Sequence, residues 1–404
     1  MQFSDIIGQQ VVKEQLKELL INNRLSHAIL FLGKEGSGAL PLALAFAQYI
    51  VCEKVNGKNI GSLGPSLFGE EPATSIKNPE SDSCGVCPAC TKAQQLIHPD
   101  IHFSYPTVTN KPGEKPIATD FIADWREFVK LMPYGNQFDW IEMIKEKENS
   151  QGKITARECD DIIRKLSLKS FESEYKILIM WMPEELEKEG NKLLKIIEEP
   201  PPNTLFILIA ENEELILPTI VSRCQLIKIP ALDAKQIEEA LINRNKTDAA
   251  IAKQVAGISE GNYREALQTV QHTEEDWQAL LREWLNAILK TGPVAQAKWV
   301  EEISRMGREK QKQFLRYFNH LLQQAIHLRT MGAGQTGIVG QGSEQDFAER
   351  LNKIAGIEQQ QAIIEELDRA SYYIERNAHG KMLFHALTIK LYHIIQDKIV
   401  FLTN

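Results

Sequence analysis

Three short stretches of this 404-residue chain carry residue types and spacings that could do chemistry. The first, GKEGSGAL from Gly33 to Leu40, has the frame of a phosphate-binding loop, G-x-x-x-x-G-K-[ST], in which Gly33, Gly36 and Gly38 permit a tight turn around an anion. The lysine that would meet the β- and γ-phosphates is replaced by Ala39, and the hydroxyl that would hold magnesium by Leu40. A strand-to-helix turn with no ligand would explain the glycines equally well. The second stretch, CGVCPAC, sets Cys84, Cys87 and Cys90 in a C-x-x-C-x-x-C run, the spacing of a thiolate metal site. A closed structural zinc site needs a fourth soft ligand, for which Cys52 is the candidate and His98 the substitute. Cys159 and Cys224 read as ordinary thiols, and six cysteines in so long a chain are too few for a disulfide scaffold. The third stretch is Ser222-Arg223-Cys224. An arginine is a planar cation that can fork onto two phosphate oxygens, although on a tripeptide alone a surface salt bridge is the simpler reading.

The elements that must position these groups alternate. A helical apolar pattern over 9–23 leads to the apolar run AILFLG at 28–33, then to the glycine loop and a second helix, PLALAFAQYIVC. Residues 53–83, rich in Gly, Pro, Asn and Ser, read as an irregular insertion, and 105–150 as a second one whose role the sequence does not assign. From 155 a polar-faced helix, the strand YKILIMWM, a helix ending LLKIIEEPPP and the strand TLFILIA resume the alternation, which implies a parallel sheet covered by helices. Short helices follow over 233–270. Beyond 274 nearly everything is helical, with Trp277, Leu280, Leu281, Trp284, Leu285 and Ile288 on one stripe and Phe314, Phe318, Leu321, Leu322 and Ala325 on another.

The length calls for two or three domains, and 43% apolar residues are enough to give each of them a core. A formal charge of −8 argues against a protein that grips nucleic acid by bulk electrostatics. The first ten residues lack a basic leader and no segment has the length of a membrane span, so a cytoplasmic location without membrane partners is expected.

Further motifs make a resemblance specific. NKLLKIIEEPPPNTLFILIA followed by IVSRCQ resembles the signatures of clamp-loader AAA+ subunits, and CGVCPAC with HPD resembles their zinc module. FSDIIGQ is similar to the family's N-terminal box, GNYREAL at 261–267 to its second sensor, and RNAHGKMLFHALTIKL to its collar helices. The resemblance covers essentially the whole chain apart from 53–83, 105–150 and the loop 331–343. It implies an α/β fold: a RecA-like AAA+ parallel-sheet domain over 1–212 with a zinc-binding module at about 52–90, a small helical lid over 213–272, and an all-α collar domain over 273–404. It also implies that Arg223, with Ser222, acts as an arginine finger in a neighbouring subunit's nucleotide site, and that Arg264 stands at the second-sensor position, where a structural role is expected.

The departures select among family members. Counted back from Asn191, the acidic Walker B pair falls on Met180 and Trp181, and the first-sensor position is Ala210, so magnesium binding and water activation are lost together. This implies a δ′-type subunit of the DNA polymerase III clamp loader, without ATPase activity of its own. Its expected partners are γ/τ and δ subunits and, through the complex, the β sliding clamp and primer–template DNA. Its expected cofactor is a structural zinc held by Cys52, Cys84, Cys87 and Cys90, and whether a nucleotide lodges unhydrolysed stays open. An ATP-hydrolysing γ/τ-type subunit would carry Lys and Thr at Ala39 and Leu40, and a nucleic-acid-binding zinc protein would carry a basic stripe with interleaved aromatics.

Overall fold

The computed structural model describes residues 1–57, 81–109, 113, 115–146, 151–271, 277–331, 343–376 and 378–398. Most of the 53–83 insertion and of the 331–343 loop therefore lies outside the described residues. The chain divides into two compact units, Met1–Val270 and Gln271–Asn404.

In the first unit, β1 (Ala28–Gly33), β2 (Ile101–Ser104), β3 (Lys176–Trp181), β4 (Thr204–Ala210) and β5 (Gln225–Ile229) form one sheet in the order β2-β3-β4-β1-β5, and every pairing is parallel. β3 and β4 are buried along their whole length, which is why they read as unbroken apolar runs. Side chains alternate between two cores, as the two-residue strand period requires. Ile29, Phe31, Ile177, Ile179, Trp181, Ile207 and Ile209 face one core, and Ala28, Leu30, Leu178, Met180, Phe206, Leu208 and Ala210 face the other. The parallel direction of the strands is the one expected from the alternation of strand and helix in the sequence.

The helices of this unit are α1 (Gln10–Ile21), α2 (Ala39–Val51), α3 (Pro88–Gln94), α4 (Ile122–Leu131), α5 (Gln137–Ile144), α6 (Ala156–Ser167), α7 (Leu194–Glu198) and α8 (Pro218–Val221), then α9 (Ala234–Asn245), α10 (Ala249–Ile258) and α11 (Tyr263–Gln271). α2 is buried at all its positions, so its all-round apolar sequence seats it under the sheet. β5 lies beyond residue 212, so the boundary expected at 212/213 passes between two strands of one sheet. Ile237, Leu241, Ala252, Val255, Tyr263 and Ala266 of the helices after β5 form a smaller core together with Ile7 and Tyr134.

The 105–150 insertion is a folded element over its described part. Thr107 and Lys153 exchange backbone hydrogen bonds of 3.0 Å in both directions, closing its neck. Inside it, Trp125 stacks on Tyr105 with centroids 4.1 Å apart and meets Trp140 edge-on, while Tyr105 Oη donates to the Ala118 carbonyl and Trp140 Nε1 to the Pro106 carbonyl, each at 2.7 Å.

The second unit is α12 (Trp277–Asn286), continued by a π turn over Ala287–Thr291, then α13 (Pro293–Arg305), α14 (Arg308–Met331), α15 (Ser343–Ile354), α16 (Ile357–Glu375) and α17 (Gly380–Gln396). Both sequence stripes face its core: Leu281, Trp284, Leu285 and Ile288 are buried, and Phe314, Phe318, Leu321, Leu322 and Ala325 are fully so. Trp284 and Trp299 stack at 4.5 Å with planes 4° apart, and Trp284 Nε1 donates to Thr388 Oγ1 at 3.0 Å. Among the described residues no helix is long and apolar enough to cross a membrane.

Candidate functional site

The glycine loop joins β1 to α2 in the geometry that makes a phosphate cradle. Gly36 and Gly38 have φ of +70° and +90°, and a Cβ at Gly36 would fall 1.9 Å from Asn262 Oδ1, so only glycine fits there. Gly33, Gly36 and Gly38 all line a pocket with Ala39, Leu40, Trp181, Met182 and Ala210. Of the two positions expected to replace the acidic pair, Trp181 lines this pocket, whereas Met180 turns to the opposite core; Met182, with φ +58°, takes the second place. None of these side chains can coordinate magnesium, and the glutamates at the wall, Glu35 and Glu211, lie in the loops after β1 and β4 rather than at the end of β3.

The pocket is also filled. Pro133, Tyr134 and Gly135, from the turn between α4 and α5, line it, and a Cβ at Gly38 would lie 2.9 Å from the Tyr134 ring. The remaining cavity is about 30 Å³. Tyr134 is buried, which raises its pKa, and its hydroxyl accepts from the Ile7 amide at 2.9 Å. Arg264, at the start of α11 and 4% exposed, donates through Nη2 to Asp139 Oδ1 at 2.6 Å and pairs through Nη1 with Glu35 Oε1 at 2.9 Å. Asn136 and Asn262 donate to the two oxygens of Glu35 at 3.0 and 3.1 Å. Arg264 thus joins the glycine loop, the insertion and α11 in one set of ion pairs.

The Sγ atoms of Cys52, Cys84, Cys87 and Cys90 all lie within 4.8 Å of one another, with Cys84 and Cys90 3.9 Å apart. A tetrahedron with metal–sulfur bonds of about 2.3 Å has edges of about 3.8 Å. Amides turn toward the sulfurs as toward thiolates: Cys84 N donates to Cys52 Sγ at 3.3 Å, Cys87 N to Cys84 Sγ at 3.3 Å, and Cys90 N to Cys87 Sγ at 3.4 Å. The hydrogen bond with the Cys90 thiol holds the Cys52 thiol below the usual thiol range. The four residues could therefore hold a metal ion, and their donor set suits zinc. His98 is elsewhere. Its Nε2 lies 3.2 Å from Glu172 Oε1 and its Nδ1 accepts from the Asp100 amide at 3.2 Å, so the choice between Cys52 and His98 falls to Cys52. Asp100 in turn receives the amides of Phe171, Glu172 and Ser173, making the HPD segment a clamp on the turn before β3.

Arg223 follows α8 and is not part of this chain's own pocket. Its Nε donates to Glu198 Oε1 at 2.7 Å, its Nη2 reaches the same carboxylate, and its Nη1 donates to the Thr219 carbonyl at 2.6 Å. Its side chain keeps 32% of its surface exposed, and Ser222 is exposed with its Oγ donating to the Thr219 carbonyl at 3.2 Å.

The model of the family described as DNA polymerase III, delta subunit, matches residues 8–64 and 71–233. The chain belongs to this family. Relatives include the DNA polymerase III subunit delta′ of Bacillus subtilis, 26% identical over 66% of this chain and 60% of that protein. The subunit tau of the same organism is 26% identical over 80% of this chain and 46% of that protein. The subunit delta′ of Escherichia coli is 23% identical over 86% of this chain and 90% of that protein. The chain spans less than two thirds of the length of the first two.

The family motifs located the glycine loop, the cysteines, Arg223 and Arg264, but not Tyr134, Asn136 and Asp139. Those three lie in 105–150, which was expected to fall outside the resemblance but lies within the stretch that the family model matches. The one local signal is the spacing from Asn136 to Asp139, a helix-start box that the structure realises at α5.

Proposed function

We propose that the chain is the δ′-type subunit of a DNA polymerase III clamp loader, without ATPase activity, which supplies Arg223 to the ATP site of an adjacent subunit. The observation that carries this reading is the pocket at the glycine loop, where Ala39, Leu40, Trp181 and Met182 stand in place of the lysine, the hydroxyl and the acidic pair that would bind phosphate and magnesium. The γ/τ-type alternative needs those groups. In this reading γ/τ and δ subunits complete a hetero-pentamer in the cytoplasm, with the second unit as its helical collar. The complex opens the β clamp and closes it on primed DNA. The four cysteines hold a structural zinc, which would lock the start of α3 to the end of α2 and take no part in chemistry. Ser222 steadies the turn that presents Arg223.

The purified full chain is expected to release no phosphate from ATP above a buffer control. Steady turnover that disappears in Gly38→Ala would overturn the reading, because that activity would then belong to this glycine loop.

A further inference from the structure

Within the first unit, a contiguous set of contacts joins the insertion to the glycine loop on one side and to α11 on the other. The pocket that would take a nucleotide has about 30 Å³ left, whereas ligand pockets run to several hundred. The space is taken by the chain itself. Tyr134 lies over Gly38 at the amino end of α2, its hydroxyl meets the Ile7 amide, and its ring meets Tyr263 edge-on at 5.0 Å. Asp139 and Glu35 present carboxylates to Arg264, and the Tyr263 amide donates to the Gly36 carbonyl at 3.3 Å. The insertion is seated there by Trp181, whose ring lies 5.3 Å from Trp125 and 5.6 Å from Phe128. The residue that removes an acid from the end of β3 is thus also the apolar floor on which the insertion rests.

We propose that Pro133–Asp139 is a built-in occupant of the nucleotide pocket: Tyr134 fills it, and the Asp139 and Glu35 carboxylates give Arg264 the anionic partner that a phosphate would otherwise be. A nucleotide bridging a sheet domain and a following helical segment ties the two only while it is bound. Here the tie is made by side chains of the protein itself, so α11 is held against the glycine loop whether or not ATP is present. The inference rests on reading the glycine loop as a former nucleotide site; it does not depend on Arg223.

The test uses the isolated full chain. Titration calorimetry with ATP and ADP, with and without magnesium, is expected to show no binding, and millimolar nucleotide should leave the melting temperature unchanged. In Tyr134→Ala, amide hydrogen exchange across α11 and at Ile7 should speed up about tenfold or more while β3 and β4 keep wild-type protection. Asp139→Asn and Tyr134→Phe disturb less and keep the question answerable where Tyr134→Ala fails to fold; each should speed exchange in α11 several-fold. ATP hydrolysis by the chain would defeat the reading of the site itself. Nucleotide binding that slows exchange across Gly33–Leu40 in the wild type would overturn the occupant. Wild-type exchange in α11 of all three variants would overturn the tie.

Discussion

Arg223→Ala is expected to leave this chain folded and assembled while reducing the DNA-stimulated ATPase and clamp loading of the reconstituted complex. The fold should survive because the pair with Glu198 is largely solvated, and pairs of that kind contribute about 0–1 kcal/mol. At the junction that Arg223 serves, losing a cation from the developing phosphoryl charge should slow hydrolysis by about a thousand-fold or more. Total turnover should fall only in part, since junctions between other subunits have their own arginines. Arg223→Lys should rescue poorly, because an ammonium is a point charge and cannot fork onto two oxygens. Glu198→Ala, which releases the arginine from its resting partner, should keep loading near wild type. Wild-type hydrolysis and loading by the Arg223→Ala complex would reduce Arg223 to the salt bridge with Glu198.

Cys87→Ser should take the zinc content of the purified chain from about one per molecule to near zero. It should also lower the melting temperature of the first unit on the order of 10 °C, since a structural metal's binding energy is folding energy. Cys87 is fully buried and caps α3 through its sulfur, so the loss should spread from the module to the end of α2, where Cys52 sits. Cys224→Ser, outside the cluster, is the control and should keep its metal. Absence of zinc in the wild type, or an unchanged content in Cys87→Ser, would end the assignment.

The parallel sheet was legible because buried parallel strands must be apolar on both faces, and KILIMW and TLFILIA are. The four cysteines were legible as a cluster that could hold a metal, from spacing and from the place of Cys52 at the end of a helix. Which strand positions face the pocket was legible only in part: counting from Asn191 selected Met180 and Trp181, whereas the alternation of side chains along β3 turns Met180 away and leaves Trp181, followed by Met182 in a left-handed conformation. The boundary after residue 212 misplaced β5 because QLIKI is short and half-exposed, so it carries no strong burial signal. Nothing local announces that Tyr134 lies beside Gly38. That contact depends on the neck at Thr107 and Lys153 and on where the aromatic cluster settles, and both are long-range facts.

The six tryptophans fall into two sets of three, one in each unit. Trp125, Trp140 and Trp181 sit together, with Trp181 in the wall of the glycine-loop pocket, while Trp277, Trp284 and Trp299 belong to the helical unit. The near-parallel Trp284–Trp299 stack is close enough for its transitions to couple. A chain with phenylalanine at 277, 284 and 299 would emit only from the first set. In such a chain, departure of Tyr134 from the pocket would be followed by light alone, as a change in the colour and polarisation of three rings.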